Sequence, residues 1–355
     1  MQLEDLGWDA FFADAFRPYE QEGLIPARVA ARHHGPCELL TEHGRIGGLP
    51  AGKLEGLDLP VAGDWVAVQK LDGERKGIVE AVLPRRTSFT RKEAWRRTVA
   101  QVVAANIDTV FLVTAFGQDL NPRRLERYLT AAWDSGARPV IVVNKSDTAL
   151  DAAEDLAEVE AIAFGVPVHA VSAATGAGLE ELDAYLGRGR TVALLGSSGV
   201  GKSTLVNALL GEDRQATAEV RDSDSRGRHT TTHRELFELP GGALLVDTPG
   251  IRALEVLGAD EGVETAFDDV ADIAAMCRFS DCRHNGEPGC AVRDALDDGT
   301  LSPERLASHQ KLEREIARAA REGDPRARAE HRRTWKIIHK SVEEHMNRKY
   351  GGGSR

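Results

Sequence analysis

Hydrophobic and polar positions along the chain fall into four regimes. Over residues 1–23, Leu3, Leu6, Trp8, Phe11, Phe12 and Phe16 gather roughly on one face at helical spacing, which predicts a short amphipathic helix packed on the body of the protein. From 24 to 95 the apolar runs shorten to LIPARVAA, CELLTE, DWVAVQKL and GIVEAVL, separated by Gly-, Pro- and Asp-containing turns. Short strands at close spacing predict a small OB-like β-barrel. From 96 to 258 strand and helix alternate. DTVFLVTAF, RPVIVVN, VPVHAV, RTVALLG and GALLVDTPG read as strands. NPRRLERYLTAAWDSG reads as a helix with Asn121 as N-cap, Pro122 at its first position and Gly136 at its stop. Leu125, Tyr128, Leu129, Ala132 and Trp133 form its apolar stripe. Such alternation predicts a parallel sheet covered on both faces. From 259 to 355 no strand pattern occurs. A cysteine-rich segment leads into a charged helical stretch and a terminal GGGSR that is expected to be disordered. The expected fold is therefore multidomain: a helical extension, an OB-like barrel, a central α/β domain and a mostly α C-terminal domain.

Composition narrows the classes. The chain has 355 residues, 42% hydrophobic and 28% charged, as in ordinary soluble proteins. Its apolar runs are too short to cross a bilayer. The acidic start MQLEDLGWDAFF lacks the basic beginning of a secretory signal. A cytoplasmic monomer with no membrane association is expected. A net charge of −11 argues against nucleic-acid binding by the chain as a whole and leaves only local basic patches. One patch follows the barrel: Arg85, Arg86, Arg91, Lys92, Arg96 and Arg97. It reads equally as a solvated linker or as a phosphate-contacting surface.

The central domain carries the chemistry. Gly196-Ser197-Ser198-Gly199-Val200-Gly201-Lys202-Ser203-Thr204 fits the phosphate-binding loop G-x-x-x-x-G-K-[ST] and lies between a strand and a helix. Its backbone N–H groups and the helix N-terminus can close around phosphate oxygens. Lys202 can reach the β- and γ-phosphates, and Ser203 can ligate Mg²⁺. Asn144-Lys145-Ser146-Asp147 closes the strand RPVIVV. A carboxylate at Asp147 can accept both the N1–H and 2-amino hydrogens of guanine, a donor pair that adenine lacks. Ser172 and Ala173 end a further strand, where backbone N–H groups can meet the guanine carbonyl. Asp247-Thr-Pro-Gly250 ends another, with Asp247 placed to hold Mg²⁺ through water and the Gly250 N–H to face the γ-phosphate. Between the phosphate loop and Asp247 lie Thr230, Thr231 and Thr232, one of whose hydroxyls can complete the Mg²⁺ shell. The polar stretch before them reads as a mobile switch loop.

These pieces make a GTPase set in an unusual order, because the base reader precedes the phosphate loop. A three-dimensional site does not depend on chain order, so a circular permutation accounts for it. The chain resembles the ribosome-small-subunit-dependent GTPase A family (RsgA, also called YjeQ) over nearly its whole length, through NKSD, GSSGVGKST, GRHTTT, DTPGI and the cysteine cluster. The resemblance implies a GTPase that hydrolyses GTP to GDP, binds the small ribosomal subunit, assists its late maturation and is stimulated by it.

The residue after D-x-x-G is Ile251, which cannot orient an attacking water as a glutamine there would. His229, next to the threonines, is the candidate water-positioning residue, and the resemblance implies the same role. His229, Lys202 and Thr232 are the expected catalytic groups. Ile251 also leaves open a second reading, a GTP-dependent RNA-binding scaffold acting on another RNA or the large subunit, with incidental hydrolysis.

Cys277-x4-Cys282-x-His284-x5-Cys290 supplies three thiolates and an imidazole within fourteen residues. Such a set suits one structural, tetrahedral Zn²⁺ with no open position. Cys37 lies in the barrel and is expected in its core. Beyond the cluster, Arg326, Arg328, Arg332, Arg333, Lys336, Lys340, Arg348 and Lys349 crowd the terminal region. Attached to a zinc module in a chain resembling a ribosome binder, they are expected to contact rRNA phosphates. Trp65 is the clearest aromatic of the barrel, so recognition of RNA shape and backbone is expected rather than base stacking.

Overall fold

The computed structural model describes residues 1–32, 35–71, 73–92, 100–211, 235–247, 263, 265–284 and 286–323. The amphipathic N-terminal stretch forms two pieces. A 3₁₀ turn, Leu3–Leu6, ends at Gly7 with φ 83°. Helix α1, Ala10–Gln21, then starts at Asp9, whose carboxylate accepts from the Phe11 and Phe12 N–H groups. Leu6, Phe12 and Phe16 are buried while Phe11 stays exposed. The face packs on Trp65, whose ring lies 4.6 Å from Trp8 and 5.8 Å from Phe12. Trp65 is fully buried, so it takes no part in stacking on an external base.

Five strands follow: β1 Ile25–Arg32, β2 Cys37–Thr41, β3 Gly44–Pro50, β4 Trp65–Lys70 and β5 Lys76–Val82. They pair in the order β1-β2-β3-β5-β4, and β4 returns to β1. All pairs are antiparallel except β3 with β5. This is a closed, OB-like barrel, filled by Val29, Leu39, Val66, Val68 and Val79, with Cys37 among them.

Strands β6 (Ser88–Lys92) and β7 (Ala100–Ala105) make a separate antiparallel pair that runs across the expected boundary at residue 95. The patch after the barrel divides here. Arg85 grips the fully buried Asp64 with two hydrogen bonds of 2.8 Å. Arg86 bonds Asp9 at 2.6 Å and lies over the Phe11 and Phe12 rings. These two arginines are thus structural clamps, neither a solvated linker nor a free phosphate surface. The opposing carboxylates, distant in sequence, neutralise them. Arg96 and Arg97 lie outside the described residues.

The central sheet contains β8 Thr109–Ala115, β9 Arg138–Asn144, β10 Val168–Ala170, β11 Thr191–Leu195, β12 Glu235–Glu238 and β13 Leu244–Asp247. Their order is β10-β9-β8-β11-β13-β12, parallel except for β12. Alternate residues of β8 face opposite ways. Val110 and Leu112 join Leu125 and Leu129 of helix α2 (Pro122–Ser135) and Val159 of α3 (Ala152–Glu160). Phe111 and Val113 join Leu205 and Val206 of α4 (Lys202–Leu210) on the other face. Helix α2 is capped as its sequence predicts: Asn121 Oδ1 accepts from the Arg124 N–H at 3.0 Å, and Gly136 closes it at φ 80°.

The barrel and the central sheet are joined. β12 meets β1 at Ala31 and Glu235. Arg28 of β1 is buried and donates to the carbonyls of Leu6, Gly63 and Asn106 and to Thr191 Oγ1 at the start of β11. Four segments thus share one guanidinium, and its polar groups are satisfied where an unpaired charge would be costly.

The C-terminal region adds helices Asp268–Ala275, Ala291–Asp297 and Pro303–Gly323, with Phe267, Val270, Val292 and Leu312 in the main core. Arg305 fixes the last helix to α2. It donates to Glu126 at 2.9 Å and to Asp269 at 2.8 Å, and stacks 4.1 Å over Phe267. The other Glu126 oxygen accepts from Ser308. The basic tail from Arg326 onward lies outside the described residues. No described helix is long and apolar enough to cross a membrane.

Candidate active site and metal centre

The nucleotide motifs meet at the C-terminal ends of adjacent parallel strands, where α/β sheets bind ligands. β11 ends at Leu195 and delivers the phosphate loop. Gly196 is needed at its start because an added Cβ would overlap the Val113 carbonyl of β8. Gly201 begins α4 at φ 90°, and a Cβ there would overlap the Asn144 amide. Val200 is buried below the loop. Lys202 Nζ lies over the loop and donates to the carbonyls of Gly196, at 2.8 Å, and Ser197. Ser198, Gly199, Ser203 and Thr204 complete the strand–loop–helix.

Asn144, at the end of β9, is 2% exposed and works as a strut. Its Nδ2 donates to the Val200 carbonyl at 2.9 Å, and its Oδ1 accepts from the Ala173 N–H at 2.9 Å. One side chain thereby ties the phosphate loop, the base-reading loop and the loop after β10. The Ala173 N–H is thus engaged within the protein. Ser172 Oγ donates to Asp147 Oδ1 at 2.5 Å, which orients the carboxylate read as the guanine acceptor. Lys145 sits at φ 65° and pairs with Asp119 at 3.1 Å. Asp119 carries no motif and escapes sequence reasoning. Asp247 ends β13, beside β11. His229, Thr230, Thr231, Thr232, Gly250 and Ile251, with the polar stretch read as a switch loop, lie outside the described residues.

In the C-terminal region Cys277, Cys282, His284 and Cys290 converge, their ligand atoms all within 4.8 Å of one another. His284 Nδ1 is 3.6 Å from Cys277 Sγ and 3.5 Å from Cys290 Sγ. A tetrahedral zinc with Zn–S of about 2.3 Å and Zn–N of about 2.0 Å sets a sulfur–nitrogen edge of about 3.5 Å, so these residues fit the metal. His284 reaches this position through a left-handed backbone, φ 58°. Burial opposes ionisation of Cys277, but the Val292 and Ala291 N–H groups, together with the Cys282 and Cys290 thiols, outweigh it and lower its pKa. Cys290 is the N-cap residue of the helix carrying those amides.

A phosphate loop on the central strand β11, parallel strands on both sides of it, an antiparallel strand next to β13 and a base-reading loop on strands that come earlier in the chain define a circularly permuted P-loop GTPase. The comparisons agree. The family model RsgA GTPase matches residues 82–257. "Small ribosomal subunit biogenesis GTPase RsgA" of Opitutus terrae is 52% identical over 96% of this chain and 96% of its own. The crystal structure of YjeQ from Thermotoga maritima matches with a TM-score of 0.63 and 30% identity, over 83% of this chain and 99% of that one. YloQ, described as a circularly permuted GTPase, shares the fold with a TM-score of 0.60, 23% identity and coverage of 83% and 95%. The chain belongs to the RsgA GTPase family and is a GTP-hydrolysing enzyme.

Proposed function

We propose that this GTPase binds the small ribosomal subunit, assists its late maturation and is stimulated by it to hydrolyse GTP. The observation that carries the nucleotide half is the Asn144 strut, which sets the base-reading and phosphate-reading loops at a fixed separation. The name of the Opitutus terrae relative supports the ribosomal half. Asp147 selects guanine, with Ser172 orienting it, and Lys145 completes the base-reading side, while the Ala173 N–H holds Asn144 in place. Residues 196–204 hold the phosphates. Ser203, Asp247 and Thr232 would hold Mg²⁺, which neutralises phosphate charge when bound. Lys202 stabilises charge at the transferred phosphoryl group, the Gly250 N–H faces it, and His229 positions water in place of the glutamine that Ile251 replaces. The four cysteine and histidine ligands hold a structural zinc, and the basic tail contacts rRNA. The division into parts at residues 23 and 258 belongs to the same proposal, as do a cytoplasmic location and a monomeric state.

GTP turnover by the purified protein alone, with small subunits and with large subunits, at one fixed moderate salt concentration, tests this. Strong stimulation by small subunits only is expected. Stimulation by neither, with GTP binding intact, would favour the scaffold reading. A His229→Ala variant should bind GTP normally and lose turnover.

A further inference from the structure

A second site stands at the opposite end of the central sheet. The phosphate loop leaves the C-terminal end of β11, whereas a cavity of about 710 Å³ opens at the N-terminal ends of β8 and β9. A seven-residue strand separates such ends by about 20 Å, so this cavity is distinct from the GTP site. It is large enough for a small-molecule ligand. Its walls include Trp133 from the last turn of α2, Tyr185, Arg138 at the start of β9 and Arg190 just before β11.

The lining has a specific chemistry. Asp108 is the acidic residue of the lining and is already engaged: its Oδ2 accepts from the Thr191 N–H at 2.8 Å and its Oδ1 faces Arg190 at 3.7 Å. Arg86 also lines the cavity but is held by Asp9. Arg138 and Arg190 are exposed, and their guanidinium groups leave the cavity positive in a chain whose net charge is −11. Tyr185 is fixed in place. Its ring packs edge-on against Phe111 at 5.9 Å, and its hydroxyl bonds His169 Nε2 at 2.9 Å, while Glu181 holds Nδ1 at 2.6 Å. A pre-set aromatic wall loses little freedom on binding. Gly165 leaves one side open, with nothing within 4 Å of where a Cβ would stand.

Aromatic walls beside guanidinium groups accept a flat base by stacking and a phosphate by charge-assisted hydrogen bonds. An inorganic anion would leave most of 710 Å³ unfilled and would need no aromatic wall. We infer that this cavity binds a nucleoside monophosphate unit, its base against Trp133 and Tyr185 and its phosphate on Arg138 and Arg190. The unit is either an unpaired nucleotide of an RNA strand or a free mononucleotide. This inference concerns a site apart from the GTP site and stands or falls independently of the proposed ribosomal role.

The test uses the full chain with its GTP site saturated with GDP. A short oligouridylate carrying 4-thiouridine is crosslinked to it, and the modified peptides are identified by mass spectrometry. Crosslinks to the peptides containing Trp133 or Tyr185 are expected. The Arg138→Glu/Arg190→Glu variant should bind the oligomer about tenfold more weakly and lower the slope of log affinity against log salt by about two, with GDP affinity unchanged. Competition by millimolar uridine monophosphate identifies a free nucleotide as a ligand. Its failure to compete identifies the strand. Crosslinks confined to other peptides overturn the inference, and so does a charge variant that binds like the parent. If the double variant does not fold, the crosslink map alone decides.

Discussion

Asn144 Nδ2 donates to the Val200 carbonyl at 2.9 Å, so the first residue of the base-reading motif holds the phosphate loop by its backbone. The two residues lie 56 positions apart. In this permuted chain that bond joins the first half of the nucleotide site to the second.

Asn144→Ala should therefore lower GTP and GDP affinity together, by at least about tenfold, because it leaves the Val200 carbonyl and the Ala173 N–H without their partner, each at a cost of about 1–3 kcal/mol. Gly201→Ala should do the same from the other side, since its Cβ would meet the Asn144 amide at a backbone φ of 90°. Titration with a fluorescent guanine nucleotide checks both. Unchanged affinity in Asn144→Ala would remove the strut role.

Glu126 is 3% exposed and Arg305 6%. Deleting the carboxylate leaves a buried guanidinium partly uncompensated. Glu126→Ala should cost about 3 kcal/mol in urea unfolding and expose the helix Pro303–Gly323 to faster amide exchange. Replacing Glu126 and Arg305 together by Met should recover part of that loss. Equal destabilisation by the single and double variants would show that the loss comes from removing the pair and not from the stranded Arg305 charge.

The purified protein should carry about one equivalent of zinc, measured by elemental analysis. Cys282→Ser should lose it, and removal by a chelator should lower the melting temperature. GDP affinity should change little, because the cluster and the phosphate loop belong to separate parts of the chain. Protein prepared in zinc-rich medium yet free of metal would contradict the assignment.

Burial pushes the Cys37 thiol up to about 11 from its ordinary 9.0, with Arg32 acting against it and Asp64 with it. A group whose pKa is raised on folding adds stability that is full below the unfolded pKa and is lost as pH rises through the folded one. Between about pH 9 and 11 the parent should thus lose on the order of 2 kcal/mol relative to Cys37→Ala, read from paired urea titrations. A gap independent of pH would show that Cys37 ionises as freely in the folded protein as in the unfolded one.

Much of the architecture was legible because it rests on short-range rules. The caps of α2 and the glycines of the phosphate loop are dictated by backbone geometry within a few residues. The cysteine and histidine spacing is short enough for four side chains to converge on one point. Strand β12, flanked by glutamates, and the β6–β7 pair, whose first strand contains Arg91 and Lys92, gave no apolar alternation to read. Gly7 broke a helix that periodicity alone would have continued.

By itself the sequence determined the phosphate-loop and NKSD patterns and the four side chains that could hold a metal, because each is a local pattern carrying its own chemistry. Tertiary structure alone decided the partners. Arg85 and Arg86 read equally as a solvated linker or a basic surface until Asp64 and Asp9, 21 and 77 residues away, closed on them. Asp119 found Lys145, and Glu126 found Arg305 across 179 residues. A charged side chain in a sequence states what it can bind. Which group neutralises it depends on which strands and helices the packed core brings together.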